Sequence, residues 1–333
     1  MSIAGAIHQG PDIALSVVVP CYNEQAVIDE LVARLTATCE GEFAGRYEIV
    51  LVNDGSADRT WDLICHHAGV SPAIVGVDLS RNHGHQLALT AGLNEARGDL
   101  VLVIDADLQD PPELLPRMLD KLGEGYDVVY GQRVERHGES RFKRATAAGF
   151  YRLLDRLIDI PIPRDTGDFR LMTRRVVDHL NAMPERYRFV RGMVSWVGFR
   201  QTGIPYERDP RFAGETHYSL SQMLALAFDG ITSFSTLPLR LASHLGLAFG
   251  AAGIGALGWV LVSYLRRGTV TGWASLIAVI LILGSVQLMI LGVIGEYLGR
   301  MYLEAKQRPL FIVREIRRGD GRAAAASEQA VAR

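Results

Sequence analysis

Cysteine spacing of the kind that holds a metal is missing from this sequence. The three cysteines, Cys21, Cys39 and Cys65, are odd in number and scattered, so they offer neither a zinc site nor a paired disulfide framework. They read as small inert hydrophobes of a reducing compartment. An excess of one charge is missing too. The 35 Lys and Arg stand against 37 Asp and Glu, a formal charge of −2, and no lysine-rich arm or aromatic-basic repeat offsets that balance, which argues against a nucleic-acid partner. The first residues include Asp12 and lack the basic-then-apolar run of a secretory signal, so the charged part of the chain is expected to stay on the side where it is made. No Gly-x-Gly-x-x-Gly follows the first apolar run, which argues against a dinucleotide-binding sheet. Charge itself is nearly absent from Leu237 to Leu298, and this uneven distribution points to a membrane part.

What is present before Leu237 is a βαβ rhythm. Apolar runs at Leu15 to Val19, Glu48 to Val52, Ile74 to Leu79, Leu100 to Ile104 and Val128 to Tyr130 predict strands. Between them, Glu24 to Cys39, Asp58 to Ala68, His85 to Ala96 and Pro112 to Leu122 carry apolar residues at helical spacing. The fold class expected is α/β, a mostly parallel sheet with helices on both faces.

The most informative stretch is Val101-Leu-Val-Ile-Asp-Ala-Asp-Leu-Gln-Asp-Pro-Pro112, a strand that runs into carboxylates at its C-terminal end, where open α/β sheets bind ligands. In an extended backbone Asp105 and Asp107 leave on one face and can share a cation, with Gln109 adding a neutral oxygen. Mg²⁺ or Mn²⁺ suits such oxygens and shares its other sites with substrate phosphates. Asp110, just before Pro111 and Pro112, reads as the cap of the helix they begin. The loops Pro20-Cys-Tyr-Asn-Glu24, Asn53-Asp-Gly-Ser56 and Arg81-Asn-His-Gly84 open on the same edge. Each alone is an ordinary turn; together with Asp105 and Asp107 they converge on one crevice.

These motifs, with Asp165-Thr-Gly-Asp168-Phe-Arg170-Leu, resemble the GT-A glycosyltransferases of family 2, and within them the polyisoprenyl-phosphate glycosyltransferases, which include dolichol-phosphate mannose synthases and bactoprenol glucosyltransferases. The resemblance covers roughly residues 15 to 300. It implies that Pro20, Tyr22, Asn23, Glu24, Asp54 and Gly84 line the nucleotide site with Asp105. Asp105, Asp107 and Gln109 hold the metal on the diphosphate, and Arg211 closes over the phosphates. Where the family has a lysine after that arginine, this chain has His217, which is mostly neutral at pH 7. On the acceptor side Arg133, Arg141 and Arg144 receive the lipid phosphate, Lys143 reads as a solvated surface charge, and Asp168, with Arg170 beside it, resembles the proposed catalytic base. Since a phosphate monoester has its second pKa near ~6, its attacking oxygen is already largely anionic at pH 7, so Asp168 can orient as much as it removes a proton.

The rest of the chain predicts membrane attachment. Leu220, Met223, Leu224, Ala227, Phe228 and Ile231 form one helical stripe within Tyr218 to Ser235, the pattern of an interfacial helix. Two apolar runs follow, Leu245 to Leu265 and Trp273 to Ile294, each long enough to span. Arg240, Arg300, Lys306, Arg308, Arg314, Arg317 and Arg318 outweigh Arg266 and Arg267 in the loop between, so both termini are expected in the cytoplasm. The organisation expected is a catalytic domain over 1–215, an interfacial helix over 216–240, two transmembrane helices over 241–298 and a basic tail over 299–333 whose end, from Ala323, looks disordered.

The expected protein is thus a multi-pass inner-membrane enzyme with a cytoplasmic catalytic domain. By the resemblance it moves one sugar, first glucose from UDP-glucose, to polyprenyl phosphate with inversion. GDP-mannose, UDP-N-acetylglucosamine and an aminoarabinose donor are the alternatives, and a homo-oligomer, often a tetramer, is implied. A processive polysaccharide synthase fits less well: there is no Gln-x-x-Arg-Trp, Trp196 following Arg191-Gly-Met-Val-Ser195, and two spans are few for a channel. A non-catalytic scaffold would be expected to have lost the metal acids.

Overall fold

Val, Ile and Leu dominate the runs that become β1 (Leu15–Cys21), β2 (Tyr47–Asn53), β3 (Ile74–Leu79) and β4 (Leu100–Val103), and every residue of these four strands is buried. Burial on both faces is the condition of a parallel sheet covered by helices. The computed structural model describes residues 13–134, 166–208, 237–267, 272–319 and 323–324. Among them the sheet has nine strands in the order β7-β5-β6-β4-β1-β2-β3-β8-β9. The middle, β4-β1-β2-β3, is parallel as expected. Beyond it β5 (Val128–Arg133) falls where expected, but two strands were not foreseen: β6 (Thr166–Thr173) enters antiparallel between β4 and β5, and β7 (Gln201–Tyr206) adds to β5.

The helices α1 (Ile28–Phe43), α2 (Thr60–Val70), α3 (His85–Glu95) and α4 (Leu115–Gly123) fall where the periodicity puts them. In α1, Ile28, Leu31, Val32, Leu35, Cys39 and Phe43 face the sheet. It begins at Ile28 rather than Glu24 because the amides of Asn23, Glu24 and Gln25 donate to Ser56, Thr60 and Asp58 instead of waiting for a helical partner. On α3, Gly92 lies where the helix crosses β1 and β2; a Cβ there would stand 2.3 Å from Val18 Cγ1 and 3.0 Å from Val52 Cγ2. Two shorter helices, α5 (Arg174–Ala182) and α6 (Val190–Val197), follow β6.

Cys21 and Cys39 are buried, and burial pushes both thiols up, Cys39 to about 12, so they are inert as expected. Part of the expected basic tail is ordered into the sheet. Val313 to Arg318 form β8, antiparallel to β3, and Ala323–Ala324 pair with it as β9. The described residues fall into two compact units. One holds all the strands and α1 to α6; the other holds α7 (Leu237–Arg267) and α8 (Trp273–Ala305). The helix expected over Tyr218 to Ser235 lies outside the described residues.

Candidate active site

The three βα loops at the C-terminal edge of the parallel strands are joined by their own polar groups. Asn23, at φ 56°, donates its amide to Ser56 Oγ at 2.9 Å and accepts the Ala57 amide on Oδ1 at 2.9 Å. Asp54 is 3% exposed, and its two oxygens accept the amides of His83, at 2.7 Å, and Gly84, at 2.8 Å. Asp54 thus shapes the loop that carries Gly84 into α3. Pro20, the last residue but one of β1, pairs with Val52, and Tyr22 stands half exposed just beyond the strand.

The acidic turn differs from the extended pair expected. The strand ends at Val103, and Ala106 to Leu108 turn, with Leu108 at φ 58° and its side chain buried. Asp107 therefore points elsewhere than Asp105: its Oδ1 accepts the Gln109 amide at 3.1 Å, and its Oδ2 faces Arg208 Nη2 at 3.4 Å. Among the described residues, the metal-type donors that converge within 4.8 Å of one another are His85, Asp105 and Asp168. The topology explains why. β6 runs antiparallel to β4 with Arg170 opposite Val103, so Asp168, two residues earlier, comes level with Asp105, two residues later.

Asp168 collects most of the polar contacts. Its Oδ2 lies 3.0 Å from His85 Nε2 and accepts Gln86 Nε2 at 3.1 Å, while its Oδ1 accepts Arg191 Nη2 at 3.4 Å and lies 3.7 Å from Arg170 Nη2. Burial alone would raise its pKa. The hydrogen bond from His85 and the charges of Arg191 and Arg170 outweigh burial and hold the carboxyl well below the usual range. Arg170 is itself buried beneath, its pKa lowered to about 10 by burial, and it donates to the carbonyls of Gly167 and Asp168. Asp105 goes the other way: burial pushes it up to about 6. For His85 burial would lower the pKa, but Asp168 and Asp105 overcome it and raise it.

A second cluster centres on Tyr206 of β7. Its hydroxyl donates to Asp110 Oδ1 and accepts from Arg133 Nε at 3.3 Å; Arg133 Nη2 and Arg208 Nε each lie 3.7 Å from the same Asp110 oxygen. The expectation that Asp110 caps a helix fails, since the turn beginning at Pro112 has no side-chain cap. Asp110 is 1% exposed and anchors β7 and β5 instead. Arg133 sits 30% exposed at the end of β5. Arg141, Lys143, Arg144, Arg211 and His217 lie outside the described residues.

Sequence reasoning passed over His85, Gln86, Arg191, Tyr206 and Arg208. His85 and Gln86 directly follow the Arg81 to Gly84 loop, so position offered a signal for them. The other three come from α6 and from β7 and its end, and only the pairing of β7 with β5 brings Tyr206 to Arg133.

Residues 16–180 match the profile of glycosyl transferase family 2, and residues 237–301 match the GtrB C-terminal hairpin. The chain is 52% identical to the uncharacterized glycosyltransferase YkcC of Bacillus subtilis, over 91% of this chain and 94% of that protein. It is 39% identical to the prophage bactoprenol glucosyl transferase homolog of Escherichia coli, over 91% and 99%. With the bactoprenol glucosyl transferase of Shigella phage SfII it shares 40% over 92% and 99%. The chain belongs to glycosyl transferase family 2.

The glycosyltransferase has a donor set that fits a hard cation. Asp105 Oδ1 is sealed from solvent without a hydrogen-bond partner among the described residues, His85 Nε2 standing 3.6 Å away, and a second carboxylate, Asp168, is close by. Asp168 is already met by His85, Arg170 and Arg191, so the orphaned Asp105 Oδ1 is the atom that invites a cation. Among the described residues of the second unit, one helical segment of this glycosyltransferase, Ile282–Ala305, is long and apolar enough to cross a membrane.

Proposed function

We propose that this glycosyltransferase moves one sugar from a nucleotide donor, glucose from UDP-glucose in the first instance, to a polyprenyl phosphate, with inversion, at the cytoplasmic face of the cell membrane. The observation that carries the reading is similarity along nearly the whole chain, hairpin included, to proteins named bactoprenol glucosyl transferase. A phosphate oxygen of the lipid attacks the anomeric carbon as the bond to the nucleoside diphosphate breaks, the electron pair leaving with the diphosphate. Tyr22, Glu24 and the Asp54-ordered loop hold the nucleoside. Asp105, with His85 or Asp107 and Gln109, would hold Mg²⁺ or Mn²⁺. That ion supplies positive charge to the departing diphosphate. Arg133 and Arg191 draw the acceptor phosphate toward a site crowded with acids, because guanidinium forks suit phosphate oxygens. Asp168, braced by Arg170, is already ionised and orients its neighbours.

Connectivity supports a hairpin topology. β8 lies in the same sheet as β1 to β3, so the intervening chain must cross a membrane an even number of times. If Ile282–Ala305 crosses, another segment returns, and α7 is the candidate for a multi-pass hairpin. An assembly of several copies belongs to the same proposal. The deciding experiment is release of UDP or GDP, as the donor dictates, by purified full-length protein with UDP-glucose, with and without polyprenyl phosphate, beside GDP-mannose, UDP-N-acetylglucosamine and UDP-aminoarabinose. Lipid-dependent release is expected with UDP-glucose; no lipid-dependent release from any donor would overturn the reading.

A further inference from the structure

Arg314, on β8, lies beyond the hairpin, far in sequence from every loop of the site. Its Nη1 meets Asp78 Oδ2 at 2.9 Å and its Nη2 donates to the Ser80 carbonyl at 2.7 Å, while the Ser80 amide donates to the Ile312 carbonyl at 2.9 Å. Asp78 is 1% exposed at the end of β3, and its other oxygen accepts Asn53 Nδ2 at 2.7 Å. Asn53 then accepts the Ser56 amide on Oδ1 at 3.2 Å, and Ser56 Oγ receives the Asn23 amide. The β3 end held by Arg314 runs on into Arg81 to Gly84, which Asp54 grips. At Gly55, φ +65°, a Cβ would stand 2.5 Å from Arg81 C and Asn82 N, so the two loops are in backbone contact. One cation on the last long strand is therefore linked, by consecutive hydrogen bonds, to all three loops at the donor edge.

We propose that Arg314 is a positioning residue for nucleotide binding: through Asp78 and Asn53 it sets the loops that receive the nucleoside, so that the segment after the hairpin completes the donor site. The inference rests on the reading that these loops hold a nucleotide. Two facts separate this role from that of an edge clamp. Burial raises the pKa of Asp78, and the Arg314 charge opposes that rise together with the hydrogen bond from Asn53, so loss of that charge is felt at Asn53 rather than only at the strand edge. And the grip on the Ser80 carbonyl falls where β3 stops and the loop begins.

The test uses full-length protein in detergent with Mn²⁺, measuring UDP and GDP binding by calorimetry and donor kinetics. Arg314→Ala is expected to weaken binding of the preferred nucleotide and raise the donor KM about tenfold, the range of indirect couplings of this kind. Its kcat should stay within about twofold, and the lipid KM should not move. Arg314→Lys, which can still meet Asp78 with one ammonium, is expected to recover most of the loss. Unchanged nucleotide affinity in Arg314→Ala, or equal changes in donor and lipid KM, overturns the inference while leaving the donor site standing. Wild-type protein that binds neither nucleotide overturns the donor reading, and the inference with it.

Discussion

Asp168 and Asp105 are neighbours with opposite fates. Cationic partners hold Asp168 ionised far below neutrality, which makes it a weak proton acceptor, whereas burial holds Asp105 near 6. The acid limb of kcat is therefore expected near ~6, the acceptor phosphate's second pKa, and is expected to stay there in Asp168→Asn even as the rate falls. Rate profiles over pH 5 to 8 with saturating donor check this; a limb that vanishes in the mutant makes Asp168 the base. A carboxyl whose folded pKa lies above its unfolded value binds its proton more tightly when folded. Metal-free protein should thus lose stability as pH rises from the ordinary 3.8 to about 6 through Asp105, and raised His85 works in the same direction at higher pH. At pH 7.5, Mn²⁺ should raise the melting temperature of wild type, while Asp105→Asn should melt higher than metal-free wild type and respond little to Mn²⁺. A thermal scan in which both proteins gain equally from Mn²⁺ would remove Asp105 from the metal site. Asp107→Ala is expected to fold normally and lose roughly a thousandfold in kcat if it helps hold the diphosphate's cation. Full activity of wild type after EDTA would end the metal assignment.

At the scale of elements, the site depends on how β6 and β7 are inserted. Neither shows the strong apolar run that marks β1 to β4: β6 alternates Asp168 and Arg170 with Phe169 and Leu171, and β7 is only partly buried with Pro205 within it. Their pairing, not their composition, brings Asp168 to Asp105 and Tyr206 to Asp110. Tyr206→Phe should leave the buried Asp110 without its hydroxyl donor and cost about 1–3 kcal/mol of stability, the usual penalty for an orphaned buried acceptor. Because Arg133 loses the same hydroxyl, the lipid KM should rise as well. Denaturant titration and acceptor kinetics measure the two effects. A stable variant with an unchanged lipid KM would show that Tyr206 supports neither. On the covering layer, Gly92→Ala would press a methyl into Val18 and Val52 and should cost about 1–3 kcal/mol without touching the donor or acceptor loops.

Across the whole molecule, the return of β8 to the sheet makes the hairpin a topological requirement once any one helix crosses. In a variant lacking Cys21, Cys39 and Cys65, a cysteine at Gly272 should react with an impermeant maleimide from outside intact cells, and one at Gly319 should not. The reverse pattern would put the acidic cluster on the side opposite nucleotide-sugar synthesis. The basic residues that predicted this orientation are partly committed elsewhere: Arg314 pairs with Asp78, Arg317 with Glu315 and Arg318 with Glu95. The sequence by itself determined the parallel core, its covering helices, the edge that carries the candidate site and the family, because apolar periodicity, turn residues and contiguous motifs are local properties of the chain. Only the tertiary structure decided that Asp105 faces His85 and Asp168 rather than Asp107, that Asp110 anchors Tyr206 rather than a helix, and that Val313 to Arg318 form a strand of the sheet. Each of these rests on pairing between segments distant in sequence, where the register between strands, and not the pattern within one, sets which charges meet.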